Sequence, residues 1–459
     1  MNTSLPSQNI SLLVEELESL RKDFNFDKKE DKEEFYKKNN LLFAYVSANI
    51  SRLMPQIPYP KHKIIFEKLL FNLQLLNIEE QNPTLFAPHF EFFDTTKNKD
   101  ILQKSKEGKP FLFCCFHLGS YSLLPTLFTY NDLDFGFLLN QNLMDRKAES
   151  FSKGHKILCK RIENERKTNV KSEMQLINVE EKKGIWQAIK MLKKGKSLIV
   201  YADGNTGTNS VKKEKENTVR VKFLGENLLV KQGIAFLSYL CKVPIVPVIS
   251  NRVNEKIEFS LKRKFEFLPV IYPPNFEDKK TEKEVISKEE FAVQTMQELY
   301  TSLEKEICKN KKDIEQVSQW EGWIFVNKFF GQLQKPMTSK VEVQKEQLNA
   351  SYIFNEARFA LIESNKNDKK NEKKTLFDKY TYRFFPVSDL LFEIITYFSV
   401  PKKLYLFVTE NNQANQASEN DSNSPVSIDS SSELEILKTN IPISALEKLI
   451  NKNILVESN

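Results

Sequence analysis

Apolar positions along this chain follow two periods. Between residues 108 and 250 they gather into short unbroken runs. KPFLFCCF (109–116) opens next to a proline and reads as a buried strand, and SLIVYA (197–202) and VPIVPVIS (243–250) read the same way. The stretches between them change to helical spacing. EKKGIWQAIKMLKKGK (181–196) puts Ile185, Ile189 and Leu192 on one helical face, and Gly195 suits the position just beyond the helix end. KQGIAFLSYLCK (231–242) predicts another helix ahead of the third strand. Helices alternating with continuously apolar strands predict the α/β class, with a mainly parallel sheet covered by helices on both faces.

Other stretches set the expected boundaries. QNISLLVEELESLRKD (8–23) has helical spacing, and residues 40–108 read as helices and loops, so 1–107 is expected to be a helical N-terminal region. Residues 283–308 carry a long helical pattern. Val219, Val221 and Phe223 alternate with Arg220 and Lys222, as in a strand with one solvated face. The chain turns polar near 335–350, which places the α/β domain at 108–335 and a small α+β, winged-helix-like domain at 336–459. There, SYIFNEARFALIE (351–363) and TLFDKYTYRFFP (375–386) read as two paired strands joined by a solvated loop. Ser388 can cap the helix DLLFEIITYF. Residues 409–433 are low in complexity and are predicted to be disordered. Ser444 and Glu447 form a capping box ahead of ALEKLINKN and a short ILVE strand.

Composition narrows the function classes. The chain is 40% hydrophobic and 28% charged, an ordinary globular balance. Its net charge of +7 is spread through mixed-sign runs such as KKEDKEEFYKK, which argues against a nucleic-acid partner and leaves an anionic cofactor or a membrane surface open. Five cysteines without a CxxC fit buried free thiols in a reducing compartment, with no metal site; Cys114 and Cys115 read as inert core. The N-terminus lacks the order of a signal peptide. Pro110 to Asn131 is uncharged and long enough to span a bilayer, but His117, Gly119, Ser120, Ser122, Pro125 and Asn131 make it a strand, turn and helix. The expectation is a cytoplasmic protein, with peripheral attachment to the inner face of the membrane left open.

The chemistry centres on FCCFHLGSYSLLP (113–125), which contains one of four histidines in the chain. His117 follows one strand and Asp203 follows another, and open α/β sheets hold their ligands beyond the carboxyl ends of their strands. Gly119 allows a tight turn, and the amides of Leu118, Gly119 and Ser120 could face an oxyanion. A histidine satisfied within the core is the bland alternative.

HLGSYS together with Asp203-Gly-Asn-Thr-Gly resembles the lysophospholipid acyltransferase superfamily, in particular its lipid A late acyltransferase branch. AIKMLKKGKSLIVYADGN, VRVKFLGENLLVKQGIAFLSYLCKVPIVPV and DIEQVSQWEGWIFVNKFF resemble, in order, further segments of that family, over about residues 105–330. The resemblance implies a glycerolphosphate-acyltransferase-like fold, with His117 as general base. The family's acidic partner, five residues on, falls here on Ser122, so the imidazole's orienting group is Ser122, Asp203 or an acid from elsewhere. Arg146 matches a basic, asparagine-containing region of that family, where a cation could meet donor or acceptor phosphate; a solvated surface arginine is the alternative. Gly225 in KFLG is a candidate for close backbone approach to substrate, with an ordinary turn glycine as the alternative. Trp320 and Trp323, three apart on an expected helix, read as core. The C-terminal pattern resembles the PqqD-like element with which peptide-modifying enzymes hold a leader peptide.

The resulting expectation is transfer of a fatty acyl chain from acyl carrier protein or coenzyme A to a hydroxyl or amine of a ribosomally made peptide. An apolar groove would hold the chain, with no bound cofactor and no metal. The alternatives are acylation of a glycolipid or lysophospholipid at the membrane, and a binding protein that keeps the fold without the chemistry.

Overall fold

A computed structural model describes residues 7–26, 28–92, 95–181, 183–203, 217–252, 261–274, 286–309, 314–330, 350–363, 374–403 and 443–458. The chain divides into two compact units, one of residues 1–37 and 49–332, the other of residues 38–48 and 333–459. The 1–107 region therefore does not stand apart. Most of it shares a unit with the sheet, while residues 38–48 belong to the second unit. The boundary expected near 335–350 and the low-complexity stretch 409–433 lie outside the described residues.

In chain order, the described helices of the first unit and of the segment shared between units are α1 (Ser7–Asp23), α2 (Lys29–Lys38), α3 (Asn40–Leu53), α4 (Tyr59–Gln81), α5 (Pro83–Phe86), α6 (Thr95–Lys106), α7 (Leu124–Tyr130), α8 (Gln141–Arg166), α9 (Gly184–Lys193), α10 (Gly233–Cys241), α11 (Lys288–Cys308) and α12 (Ile314–Ser318). The strands of the first unit are β1 (Phe90–Phe92), β2 (Leu112–Cys115), β3 (Phe135–Leu139), β4 (Met174–Asn178), β5 (Ser197–Tyr201), β6 (Thr218–Phe223), β7 (Glu226–Lys231), β8 (Ile245–Arg252) and β9 (Arg263–Phe267).

Seven strands form one sheet in the order β1-β9-β8-β2-β5-β3-β4. Pairing is parallel throughout except between β8 and β9. The three strands read from unbroken apolar runs are β2, β5 and β8, side by side at the centre, where both faces are covered and no polar alternation is needed. Phe113, Cys115, Phe135, Phe137, Ile199, Val246 and Val248 join the core with residues of α1, α4, α6 and α7. Helices α9 and α10 pack on the sheet as well. Gly195 ends α9 with φ +77°, and an added Cβ there would come 2.5 Å from the Gly108 carbonyl oxygen. In the β6–β7 hairpin, Val219, Val221 and Phe223 are buried and Arg220 and Lys222 exposed, as the alternation predicts.

The second unit contains β10 (Ser351–Phe354), β11 (Phe359–Glu363), β12 (Lys374–Asp378), β13 (Arg383–Pro386), α13 (Asp389–Tyr397), β14 (Lys402–Lys403), α14 (Ile443–Asn451) and β15 (Leu455–Glu457). Each of the two stretches read as one strand is two strands with a turn between them. β11, β12 and β13 form one antiparallel sheet, whereas β10 pairs with β14 and β15 in another. Tyr382, with φ +54°, sits in the turn between β12 and β13. Ser388 caps α13 by accepting the Leu391 amide at 3.2 Å. Ser444 is the second residue of α14 and so lies inside the helix it was expected to cap.

One buried ionic cluster fixes α4 against the sheet. Glu79 on α4 is fully buried. It accepts the Arg263 Nε at 2.7 Å, the Arg252 Nε and Nη2 at 3.2 and 3.3 Å, and the Ser120 hydroxyl at 2.7 Å. Burial pushes its carboxyl up, but Arg252 and Arg263 outweigh burial and hold it below the ordinary 4.5. Glu79→Gln should lower stability by about 3–5 kcal/mol at neutral pH, because two buried guanidinium groups lose their counter-charge. Because the folded-state value is depressed, this contribution is full above 4.5 and is lost as pH falls through the folded value. Denaturant midpoints of the two proteins should therefore converge in acid.

Candidate active site

His117 and Asp203 each lie two residues beyond a central strand, and the register of those strands brings them together. Cys115 of β2 is paired with Tyr201 of β5, and the Ala202 amide donates to the Cys115 carbonyl at 2.9 Å. Two residues further on, His117 Nδ1 stands 2.8 Å from Asp203 Oδ1. The His117 backbone amide donates to both carboxylate oxygens at 3.1 Å. Trp320 adds its indole N–H to Asp203 Oδ2 at 3.0 Å. Asp203 is fully buried, and these donors account for how a carboxylate is held there.

The loop after His117 is clamped from two sides. On one side, β8 pairs with β2, and Ser250 donates to the Leu118 carbonyl at 2.8 Å. On the other, Leu118 forms an antiparallel bridge with Trp320; the Gly119 amide donates to the Gln319 carbonyl at 3.1 Å, and the Glu321 amide to the His117 carbonyl at 2.9 Å. Gly119 has φ +62°, and a Cβ there would meet the Ser250 carbonyl oxygen at 2.2 Å, so glycine is required by conformation and by space.

An aromatic cage surrounds the imidazole. The rings of Tyr121, Tyr201 and Phe325 have centroids 4.7, 5.0 and 5.7 Å from it. The Tyr121 hydroxyl donates to Glu321 Oε2 at 2.5 Å, and the Tyr201 hydroxyl donates to the Tyr121 carbonyl at 3.2 Å. The His117 side chain keeps 14% of its surface exposed. Burial disfavours the imidazolium, but the Asp203 charge and hydrogen bond, with the Glu321 charge added, outweigh burial and raise the ring above its ordinary 6.5. With Nδ1 committed to Asp203, a neutral ring carries its lone pair on Nε2, which has no hydrogen-bond partner among the described residues.

Other expected site residues lie elsewhere or are engaged. Ser122 makes no hydrogen bond to His117. Its hydroxyl is unpartnered and lines a cavity with Glu80, Phe151, His155 and Met174. The orienting group is thus Asp203, 86 positions along the chain from His117. The Leu118 amide donates to the Phe116 carbonyl at 2.7 Å, and with Gly119 bound to Gln319 neither amide is free to receive an oxyanion. Ser120 is fully buried, with its hydroxyl on Glu79. Arg146 is exposed on α8, with Nε 3.4 Å from the Asn142 carbonyl of its own helix. Gly225, φ +84°, turns the β6–β7 hairpin, and a Cβ there meets nothing within 4 Å, so no close backbone approach requires it. The apolar groove expected at His117 is not among the described cavities, none of which His117 lines.

Sequence reasoning missed Tyr121, Tyr201 and Glu321 as neighbours of the histidine and took Trp320 for core alone. Trp320 and Trp323 are fully buried, but Trp320 precedes a 3-10 turn (Glu321–Ile324) and points a donor at Asp203. The available signal was QWEGW itself: a carboxylate between two tryptophans is an unusual thing to place in a core segment.

The fold and site define an α/β protein with a histidine–aspartate pair at the carboxyl ends of adjacent parallel strands. Neither a protein-family model nor a curated protein matches the chain. Among solved structures, it is similar to the crystal structure of the 1-acyl-sn-glycerophosphate (LPA) acyltransferase PlsC from Thermotoga maritima, at 13% identity and a TM-score of 0.25, over 58% of this chain and 96% of that one.

Two measurements check the site's construction. Asp203→Asn should lower the His117 titration midpoint from its raised position, read by imidazole NMR, because the anion that favours the charged ring is gone. Gly119→Ala should lower the melting temperature far more than Gly225→Ala. Both methyls meet a left-handed backbone costing about 1–2 kcal/mol, but only the first also collides with a carbonyl.

Proposed function

We propose that this chain is an acyltransferase that moves a fatty acyl group from a thioester, acyl carrier protein or coenzyme A, to a hydroxyl or amine. The observation that carries the reading is the His117 Nδ1–Asp203 contact of 2.8 Å, on a ring whose Nε2 is left without a described partner. His117 Nε2 takes the proton of the acceptor, the acceptor oxygen or nitrogen attacks the thioester carbonyl, and the carbon–sulfur bond breaks. The imidazolium returns its proton to the departing thiolate. Asp203 holds the tautomer and stabilises the charged ring during the step. Trp320 and the His117 amide hold Asp203 in turn. No oxyanion donor is assigned to Leu118 or Gly119, whose amides are engaged.

For the acceptor, the reading is a ribosomally made peptide. The supporting observation is strand β13, which pairs only with β12 among the described residues and exposes Phe384 and Phe385 at 43% and 44%. An open strand edge flanked by aromatic rings suits an added peptide strand. A glycolipid or lysophospholipid acceptor is the second arm of the same test.

The test is an intact-mass assay of the full chain with acyl carrier protein or coenzyme A thioesters and three acceptors: a leader-bearing peptide, a lysophospholipid and a lipid A precursor. His117→Ala should reduce transfer at least about 100-fold. Transfer should rise with pH, with an inflection above 6.5, because the base must be neutral and its folded value is raised. Undiminished transfer by His117→Ala would remove the histidine from the mechanism. Absence of transfer to any acceptor by the native chain would leave a binding protein.

A further inference from the structure

The chain has three tryptophans, and they differ sharply in environment. Trp320 and Trp323 are fully buried, whereas Trp186 is 69% exposed and makes no ring contact among the described residues. Trp186 lies in the first turn of α9. The inner face of that helix buries Ala188, Ile189, Met191 and Leu192. Its outer stripe, at helical spacing, runs Lys183, Trp186, Lys190 and Lys193, continued by Lys194. All four lysines are exposed, and among the described residues none makes an ion pair. Two more apolar side chains stand out beside it: Val179, 43% exposed, in the turn leading into α9, and Leu240, 52% exposed, on the neighbouring α10. The nearest acids in sequence are engaged, Glu180 accepting the Gln141 amide and Glu181 the Asn178 side chain.

We propose that the outer face of α9 docks on an anionic lipid bilayer, with Trp186 inserted at the headgroup boundary and Lys183, Lys190, Lys193 and Lys194 on the lipid phosphates. The charge is complementary to such a surface. An exposed indole among lysines has the amphipathic form that settles at a membrane interface. Topology adds a consequence. Helix α9 runs back along β5, so its first turn lies at the same end of the sheet as the carboxyl ends of β2 and β5, where His117 and Asp203 stand. Docking along α9 would therefore set one side of the catalytic rim beside the bilayer. This last point deepens the acyltransferase reading, but the docking itself does not depend on it.

The burial of the other two tryptophans makes the test direct. The full chain is titrated with vesicles of phosphatidylcholine alone and of phosphatidylcholine mixed with phosphatidylglycerol, following tryptophan emission and co-sedimentation. The emission should shift to the blue with the anionic vesicles only, and Trp186→Ala should lose the shift while keeping the circular dichroism of the native chain. Each lysine near an anionic surface is worth about fivefold in partitioning, so Lys190→Gln with Lys193→Gln should weaken binding roughly 25-fold. Raising the salt concentration should weaken it as well. Unchanged emission and sedimentation with anionic vesicles would overturn the proposal. So would undiminished binding by the double lysine variant, or a Trp186 shift produced by an acidic acyl carrier protein and not by vesicles. None of these readouts requires acyl transfer, so their failure is distinct from failure of the His117 mechanism.

Discussion

The parallel pairing of β2 with β5 is the constraint on which the site depends. Because Cys115 faces Tyr201 in that ladder, the residues two places further on are forced into contact, and they are a histidine and an aspartate. A slip of one residue in register would reverse the faces and separate the pair. The register is held by burial on both faces of β2, where Leu112 to Cys115 are wholly inside, and by β8 on the other side.

Around that pairing the structure places three supports of different kinds. The QWEGW segment bridges Leu118 and donates an indole N–H to Asp203, tying a distant part of the chain to the same carboxylate. Glu79 draws Ser120 toward α4 through a buried cluster with Arg252 and Arg263. Gly119 lets the loop pass against the Ser250 carbonyl. Together these immobilise a histidine that would otherwise sit on a free loop, and the general-base role proposed for it needs that fixed geometry. Glu321, held by Tyr121, adds a second negative charge near the imidazole and contributes to its raised value.

The sheet's central strands, helix α9 with its glycine stop, the β6–β7 alternation and the cap at Ser388 were all legible in the sequence, because each depends on residues within one or two turns of one another. The strand ends carrying His117 and Asp203 were legible for the same reason. The partner of the histidine was left open between Ser122, Asp203 and an acid from elsewhere. The family's spacing fell on Ser122, whose hydroxyl faces another cavity, and the amides of Leu118 and Gly119 are committed to Phe116 and Gln319. In the second unit, two readings of single strands became four strands, because a turn without glycine or proline, such as the one at Tyr382, leaves no clear mark in the pattern.

The sequence by itself determined the central strands β2, β5 and β8, the helices α9 and α10 beside them, and the side chains that emerge at the strand ends, since periodicity and burial are properties of short stretches. Only the tertiary structure decided which strand ends are neighbours. That choice rests on the order of strands in the sheet, set by packing between segments far apart in the chain. It made Asp203 the partner of His117, brought Trp320 and Glu321 to the same place, and left Ser122 outside it.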